Sequence, residues 1–240
     1  MSDGGAAETP TRGDLRRAPV SLLSRGSRFK PGVWRVSRSD GPLLLKDCAG
    51  SPPWWRPLAR WLLAREVRAL RRLDGVEGVP RLVGRVDRDA VLLSWVEGQP
   101  LGEPGTTADA PALAAALRRI VEAMHQRHVY HLDLRQRRNV LVDPAGRPWV
   151  VDFGAAHAPG PVGRLLLAPW LARVDRQAVL KVLARYAPEA MSADEARSFL
   201  RGQRWRRLWP FSPYRDRGLE AAVRRRLRDL SADGGADHEM

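Results

Sequence analysis

An acid stands where an apolar residue belongs. The helical pattern from about Pro57 to Leu73 places Leu62, Glu66, Leu70 and Leu73 at intervals of four, four and three, so they share one face, the apolar one. A carboxylate carried into a core is costly unless an opposite charge meets it there. Of the 41 Lys+Arg residues only Lys30, Lys46 and Lys181 are lysines, and Lys46 ends the apolar run Leu43-Leu44-Leu45. Its stem would be buried and its head would need an anion, which can be a phosphate or Glu66. A fold that sets the 43–46 strand against this helix satisfies both charges at once.

The rest of the pattern divides in two. Val33–Val36, Leu43–Lys46, Arg81–Val86 and Ala90–Val96 read as short strands, with a turn at Ser39–Pro42 and another at Asp87–Asp89. The stretch Gly98–Pro111 is rich in Gly, Pro, Thr and Asp and reads as a linker or hinge. Beyond it Asp109 can cap a helix whose face carries Leu113, Leu117, Ile120, Val121 and Met124. A short hairpin follows, Asn139–Val142 and Trp149–Val151 around the turn Asp143–Gly146, and then helices near Val174–Tyr186 and Gly218–Leu230. The expected class is α+β. A sheet with one helix over 18–97 precedes a mostly helical part over 98–230, between polar ends at 1–17 and 231–240 expected to be disordered.

Composition excludes several classes. The chain has 240 residues, 44% of them hydrophobic, enough for one domain or one domain of two lobes. No apolar run approaches the roughly 20 residues of a membrane span. The opening lacks the apolar stretch of a signal peptide, and Cys48 alone makes neither a disulfide nor a Cys-based zinc site, so a cytoplasmic location is expected. The formal net charge of +14 attracts nucleotides, anionic lipid headgroups or other polyanions.

Three polar groups flank the hairpin. Asn139 stands at its entry and Asp152, in Asp152-Phe153-Gly154, at its exit, so the two are brought side by side. A carboxylate and an amide oxygen together are hard ligands suited to Mg²⁺ and leave room for phosphate oxygens. Asp133, in His131-Leu132-Asp133, lies just before them, where it could take a proton from an attacking hydroxyl. His125, His128 and His131 recur every third residue, but no carboxylate completes a zinc set, and His131 is better placed to brace the loop.

This constellation resembles the protein-kinase-like fold. His131-Leu132-Asp133 is similar to the H-R-D of the catalytic loop and Asp152-Phe153-Gly154 to the D-F-G. Lys46 resembles the nucleotide lysine and Glu66 its helix partner. Leu93–Gly98 resembles the hinge that grips adenine, through Ser94 and Val96. The likeness spans about residues 20–190 and implies ATP and Mg²⁺, with Asp133 as base and Asp152 and Asn139 as metal ligands; Arg135, by its place after Leu134, could neutralise the transferred phosphoryl or be a surface arginine. Within the fold, the run His131–Asn139 and the arginine bias resemble the bacterial lipopolysaccharide core (Kdo/heptose) kinases, which implies a glycolipid acceptor at the cytosolic face of the inner membrane. A Ser/Thr protein kinase, a small-molecule kinase and a pseudokinase are the alternatives.

Three departures bear on turnover. Five residues separate Asp133 from Asn139, where the motif H-R-D-x-x-x-x-N has four. The loop Ser24–Gly32 keeps Gly26 and Gly32 but not G-x-G-x-x-G, so Gly26, Ser27 and Arg28 must serve the phosphates differently. Ala187-Pro188-Glu189 spells the close of an activation segment, yet follows a helix and reads as coincidence. Two basic-aromatic stretches, Trp54–Trp61 and Arg204–Phe211, and the arginine-flanked stripe Leu219, Val223, Leu227, Leu230 suit an anionic membrane surface or a solvated basic face; nucleic acid is a less favoured partner.

Overall fold

The computed structural model describes residues 10–28, 30–207 and 217–236. Its first lobe is a five-stranded antiparallel sheet in the order β1-β2-β3-β5-β4, built from β1 (Val20–Ser24), β2 (Gly32–Val36), β3 (Leu43–Asp47), β4 (Leu82–Arg85) and β5 (Ala90–Ser94). The pleat of β3 sorts its side chains. Leu45 packs on one face with Val36, Ala90 and Leu92. Lys46 points to the other, the face covered by α2 (Arg56–Arg72), where Cys48, Ala59, Leu63, Val67 and Val91 form a small core.

The first face has a cover that sequence reading did not foresee. Residues 12–17, expected to be disordered, form α1 (Arg12–Arg17), capped by Thr11, whose side chain accepts from the Asp14 amide. Leu15 is buried against Val36 and Leu45, and Arg12 forks between the carboxylates of Asp47 and Asp87. Composition marked this segment as polar, but one leucine and one bidentate arginine suffice to dock a two-turn helix. Leu15→Ala should lower stability by about 2 kcal/mol, and Arg12→Ala, whose pair is partly solvated, by about 1 kcal/mol or less. Thermal unfolding checks both, and two neutral results would mean that α1 hangs free.

The second lobe begins in the expected linker. Gln99–Pro100 forms β6, which pairs with β7 (Val140–Val142), and β7 pairs with β8 (Pro148–Val150). Gly98 permits this close approach, since a Cβ there would stand 2.9 Å from the Val142 carbonyl oxygen. The helices are α3 (Ala110–Gln126), α4 (Pro161–Tyr186), α5 (Ala193–Arg207) and α6 (Arg217–Ala236). The largest core joins α3, α4 and the β7–β8 hairpin to Leu70, Leu73 and Leu93 of the first lobe.

Three readings change at this end. Helix α4 starts at Pro161, well before the expected Val174; a proline in the first turn loses no hydrogen bond and its φ suits a helix. Helix α5 was not foreseen. Helix α6 runs to Ala236, so the expected disorder of 231–240 does not begin at Ser231. Leu219 and Val223 of α6 are buried and Leu227 packs on the same core. The apolar stripe of the last helix is therefore internal and cannot enter a lipid surface. Of Arg204–Phe211, the backbone continues α5 to Arg207, and 208–211 lie outside the described residues.

Candidate active site between the lobes

Lys46 is the point where the lobes meet. Its ammonium donates to Glu66 Oε1 at 2.7 Å and to Asp152 Oδ1 at 3.0 Å. Glu66 Oε1 also accepts from the Phe153 amide at 3.2 Å, so one buried carboxylate gathers β3, α2 and the segment after β8. Burial works against the charge on Lys46, yet Glu66 and Asp152 outweigh it and hold the ammonium above its ordinary range. Asp152 is held below the usual carboxylate range, first by the charge of Lys46 and against its own partial burial. Lys46 and Asp152 are therefore both ionised at neutral pH.

Asp133 sits in a loop of the second lobe. Its Oδ2 accepts from Asn139 Nδ2 at 3.0 Å and from Gln136 Nε2 at 2.5 Å. The additional residue between Asp133 and Asn139 is absorbed locally. Gln136 N–H donates to the Asp133 carbonyl and Asn139 N–H to that of Gln136, and residues 137–139 form a single 3₁₀ turn. Asn139 is buried, with its amide nitrogen turned to Asp133, so its oxygen is the end left for another ligand.

The loop is held in a strained backbone by buried groups. Leu132 and Asp152 both have left-handed φ, 65° and 64°, which ordinary side chains disfavour. Asp175 of α4, fully buried, accepts from the amides of His131 at 2.8 Å and Leu132 at 2.8 Å, and faces His125 Nε2 at 3.0 Å. His131 is fixed as a neutral tautomer. Burial lowers its pKa, Nε2–H donates to the Val151 carbonyl at 3.0 Å, and Nδ1 accepts weakly from the Asp133 amide at 3.4 Å. Its ring also meets Phe153 edge-on, centroids 4.9 Å apart. The loop bearing Asp133 and the turn bearing Asp152 are thus pinned to one another.

The other expected site residues are placed less directly. Ser94 is tied to the start of β4, its amide donating to the Arg81 carbonyl and its hydroxyl accepting from the Arg81 amide. Val96 follows in the connection between lobes, and its backbone has no hydrogen-bond partner among the described residues. Gly26 takes a left-handed φ of 72° in the β1–β2 turn, where a Cβ would stand 2.6 Å from the Lys30 carbonyl oxygen. Its amide donates to Ser24 Oγ and that of Ser27 to the Lys30 carbonyl. Those two amides are taken up inside the turn, and the Ser27 hydroxyl is left. Arg135 is half-buried beyond Leu134, its carbonyl accepting from Lys181 at 3.3 Å. Asp175, Gln136 and Lys181 were not foreseen.

The donor set fits a magnesium ion. Lys46 engages only Oδ1 of Asp152, Asn139 presents its oxygen, and both are hard ligands. Among the described residues no group of three His, Cys, Asp or Glu forms a metal cage. Mg²⁺ in phosphoryl transfer needs none, since it takes one or two protein ligands with phosphates and waters.

No family model matches the chain, and no curated protein does. Among solved structures, the Rio2 kinase from Chaetomium thermophilum superposes with a TM-score of 0.53, covering 87% of this chain and 73% of that one at 19% identity. The fold is protein-kinase-like. In a kinase-like frame, Lys46 and Glu66 belong to the sheet lobe, Asp133, Asn139 and Asp152 to the helical lobe, and β5–β6 to the connection. At this identity the likeness reaches the fold and no sub-family.

Proposed function

We propose that the protein is an ATP-dependent phosphotransferase acting on a hydroxyl acceptor. The observation that carries this reading is the Lys46 ammonium held between Glu66 and Asp152, beside a loop that presents Asp133 and Asn139. Lys46 would bind the α- and β-phosphates in the place where it now meets Asp152, with Glu66 keeping it aimed. Asp152 and the Asn139 oxygen would hold Mg²⁺, which when bound neutralises phosphate charge. Asp133 Oδ1 has no partner among the described residues and would orient the acceptor hydroxyl and take its proton. Arg135 would offset charge on the transferred group, and Ser94, Val96, Gly26 and Ser27 would line the nucleotide. Positioning and charge neutralisation supply most of the rate in such transfers.

The segment after Asp152 bears on the acceptor. A single 3₁₀ turn, Phe153–Ala155, leads to a bridge between His157 and Tyr130, and α4 begins at Pro161. Only Ala158-Pro159-Gly160 intervene, so there is little chain to form a platform for an extended peptide. Ala187-Pro188-Glu189 lies at the far end of α4 in a 3₁₀ turn, with Glu189 exposed. This favours a compact acceptor, and with the lipopolysaccharide-kinase resemblance it supports a sugar hydroxyl of a membrane-facing glycolipid over a protein Ser/Thr. The self-closed Gly26 turn supports the second reading, a pseudokinase that binds nucleotide without turnover.

Asp133→Ala separates the readings. With labelled ATP and pools of lipid, glycan and protein, the wild type should label glycolipid, and the variant should lose about 10²–10⁴-fold in rate. Label confined to protein would overturn the glycolipid acceptor. Undiminished turnover in the variant would remove Asp133 from its role.

A further inference from the structure

Besides β1, two stretches of this chain hold large apolar side chains in water. On the first turns of α4, Val162, Leu165, Leu166 and Trp170 are 64–81% exposed. At the start of α2, Trp54, Leu58 and Trp61 are exposed as well. Helix α4 joins the core only from Leu171 onward, where Ala172, Asp175 and Ala178 are buried.

Arg65 joins the two stretches. Its guanidinium stacks 4.7 Å from the centroid of the Trp61 ring. It also donates to the carbonyls of Ala155 at 3.3 Å and Ala156 at 2.9 Å, in the segment that runs from Asp152 to α4. The apolar face therefore borders the mouth of the candidate site.

Within the two stretches the charge has one sign, although Arg60 is already paired with Asp89 from outside them, at 2.5 Å. From Cys48 to Arg65 the charged residues are Arg56, Arg60 and Arg65, and from Phe153 to Val174 they are Arg164 and Arg173; neither stretch contains an acid. We propose that these two stretches together dock on an anionic membrane surface, with leucine and tryptophan entering the interface and arginine meeting the headgroups. A second copy of this chain is a poor cover, because it would bring arginine against arginine on a molecule of net charge +14. No helix among the described residues is long and apolar enough to cross a membrane, so the contact is peripheral. Docking here sets the Lys46–Asp152 cleft beside the headgroup layer, and only in giving the glycolipid acceptor a source does the inference rest on the function proposed above.

The test is flotation of the full chain, without nucleotide, on phosphatidylcholine vesicles with and without phosphatidylglycerol. Binding should require the anionic lipid. It should weaken about tenfold or more in Leu165→Ser/Leu166→Ser/Trp170→Ser, and likewise in Trp54→Ser/Trp61→Ser, through lost interfacial burial and not lost charge. Both sets are exposed, and unchanged thermal melts confirm intact folding. Equal binding to neutral vesicles, or undiminished binding by both variants, overturns the proposal. So does loss of binding only on Arg224→Ser/Arg225→Ser in α6, or a wild-type dimer that the α4 variant dissociates. Because flotation uses no ATP, vesicle binding combined with no glycolipid labelling in the separate labelled-ATP assay would sink the acceptor and leave the docking face standing.

Discussion

Lys46→Met should cost about 3–5 kcal/mol of stability, because removing one partner of a buried ion pair strands the other. The stranded group is Glu66, whose side chain is 3% exposed and has no route to water. It keeps the Phe153 amide as a donor, and a single neutral donor does not replace an ammonium at 2.7 Å. The double variant Lys46→Met/Glu66→Leu should regain most of the loss, since no charge is then left buried. A deficit of about 1 kcal/mol should persist, from the Phe153 amide left without an acceptor. Turnover should behave differently. Both variants should lose about 10²–10³-fold, the usual scale for deleting a group that meets developing charge. Urea denaturation and ATP consumption, measured on the same two proteins, separate the structural from the chemical role. Recovery of turnover in the double variant would show that Lys46 serves the fold alone.

Asp175→Ala should be nearly as damaging, although Asp175 touches no expected substrate atom. Its carboxylate is fully buried and accepts from the His131 amide, the Leu132 amide and His125. Alanine would leave two buried amides unpaired at about 1–3 kcal/mol each. It would also release Leu132 from the left-handed backbone that precedes Asp133. The expected result is a loss of about 3 kcal/mol or more, with turnover falling well beyond the unfolded fraction. Asp175→Asn, which keeps one carbonyl acceptor, should be milder on both counts. Thermal unfolding together with turnover per folded molecule checks this, and equal effects of Ala and Asn would argue against the amide contacts.

The first lobe and the central charges were legible because buried charge cannot be arbitrary. Glu66 on an apolar stripe demanded a cation, Lys46 was available, and the two lie at 2.7 Å. Asp175 carries the same signature, since Leu171, Asp175, Ala178 and Val182 repeat at intervals of four, three and four. A helix starting at the expected Val174 leaves Leu171 out of the pattern and so hides Asp175. Prolines 159, 161 and 169 suggest broken helix, yet Pro161 falls in the first turn, and Pro169 is tolerated inside a helix whose later turns are anchored in the core. Helix α5 had a capping box in view, with the Ser192 hydroxyl accepting from the Glu195 amide and Glu195 accepting from the Ser192 amide. Helix α1 was less legible, because its docking depends on Asp47 and Asp87, 35 and 75 residues away from Arg12. Composition reports no such partners.

The exposed start of α4 was hidden for another reason. Its apolar residues look like core in any hydropathy reading, and only the position of the helix shows that they face water. The stripe on α6 is the converse. It suits a membrane surface in sequence, yet Leu219 and Val223 are in the core.

The central claim is that Lys46, Asp152 and Asn139 converge on one magnesium-bound triphosphate. Titration calorimetry of ATP into the protein, with Mg²⁺ and with EDTA, tests it without knowledge of the acceptor. Binding should need Mg²⁺ in the wild type, and Asp152→Asn should abolish that dependence along with most of the affinity. ATP binding that is equally tight in EDTA and unaffected by Asp152→Asn would contradict the account.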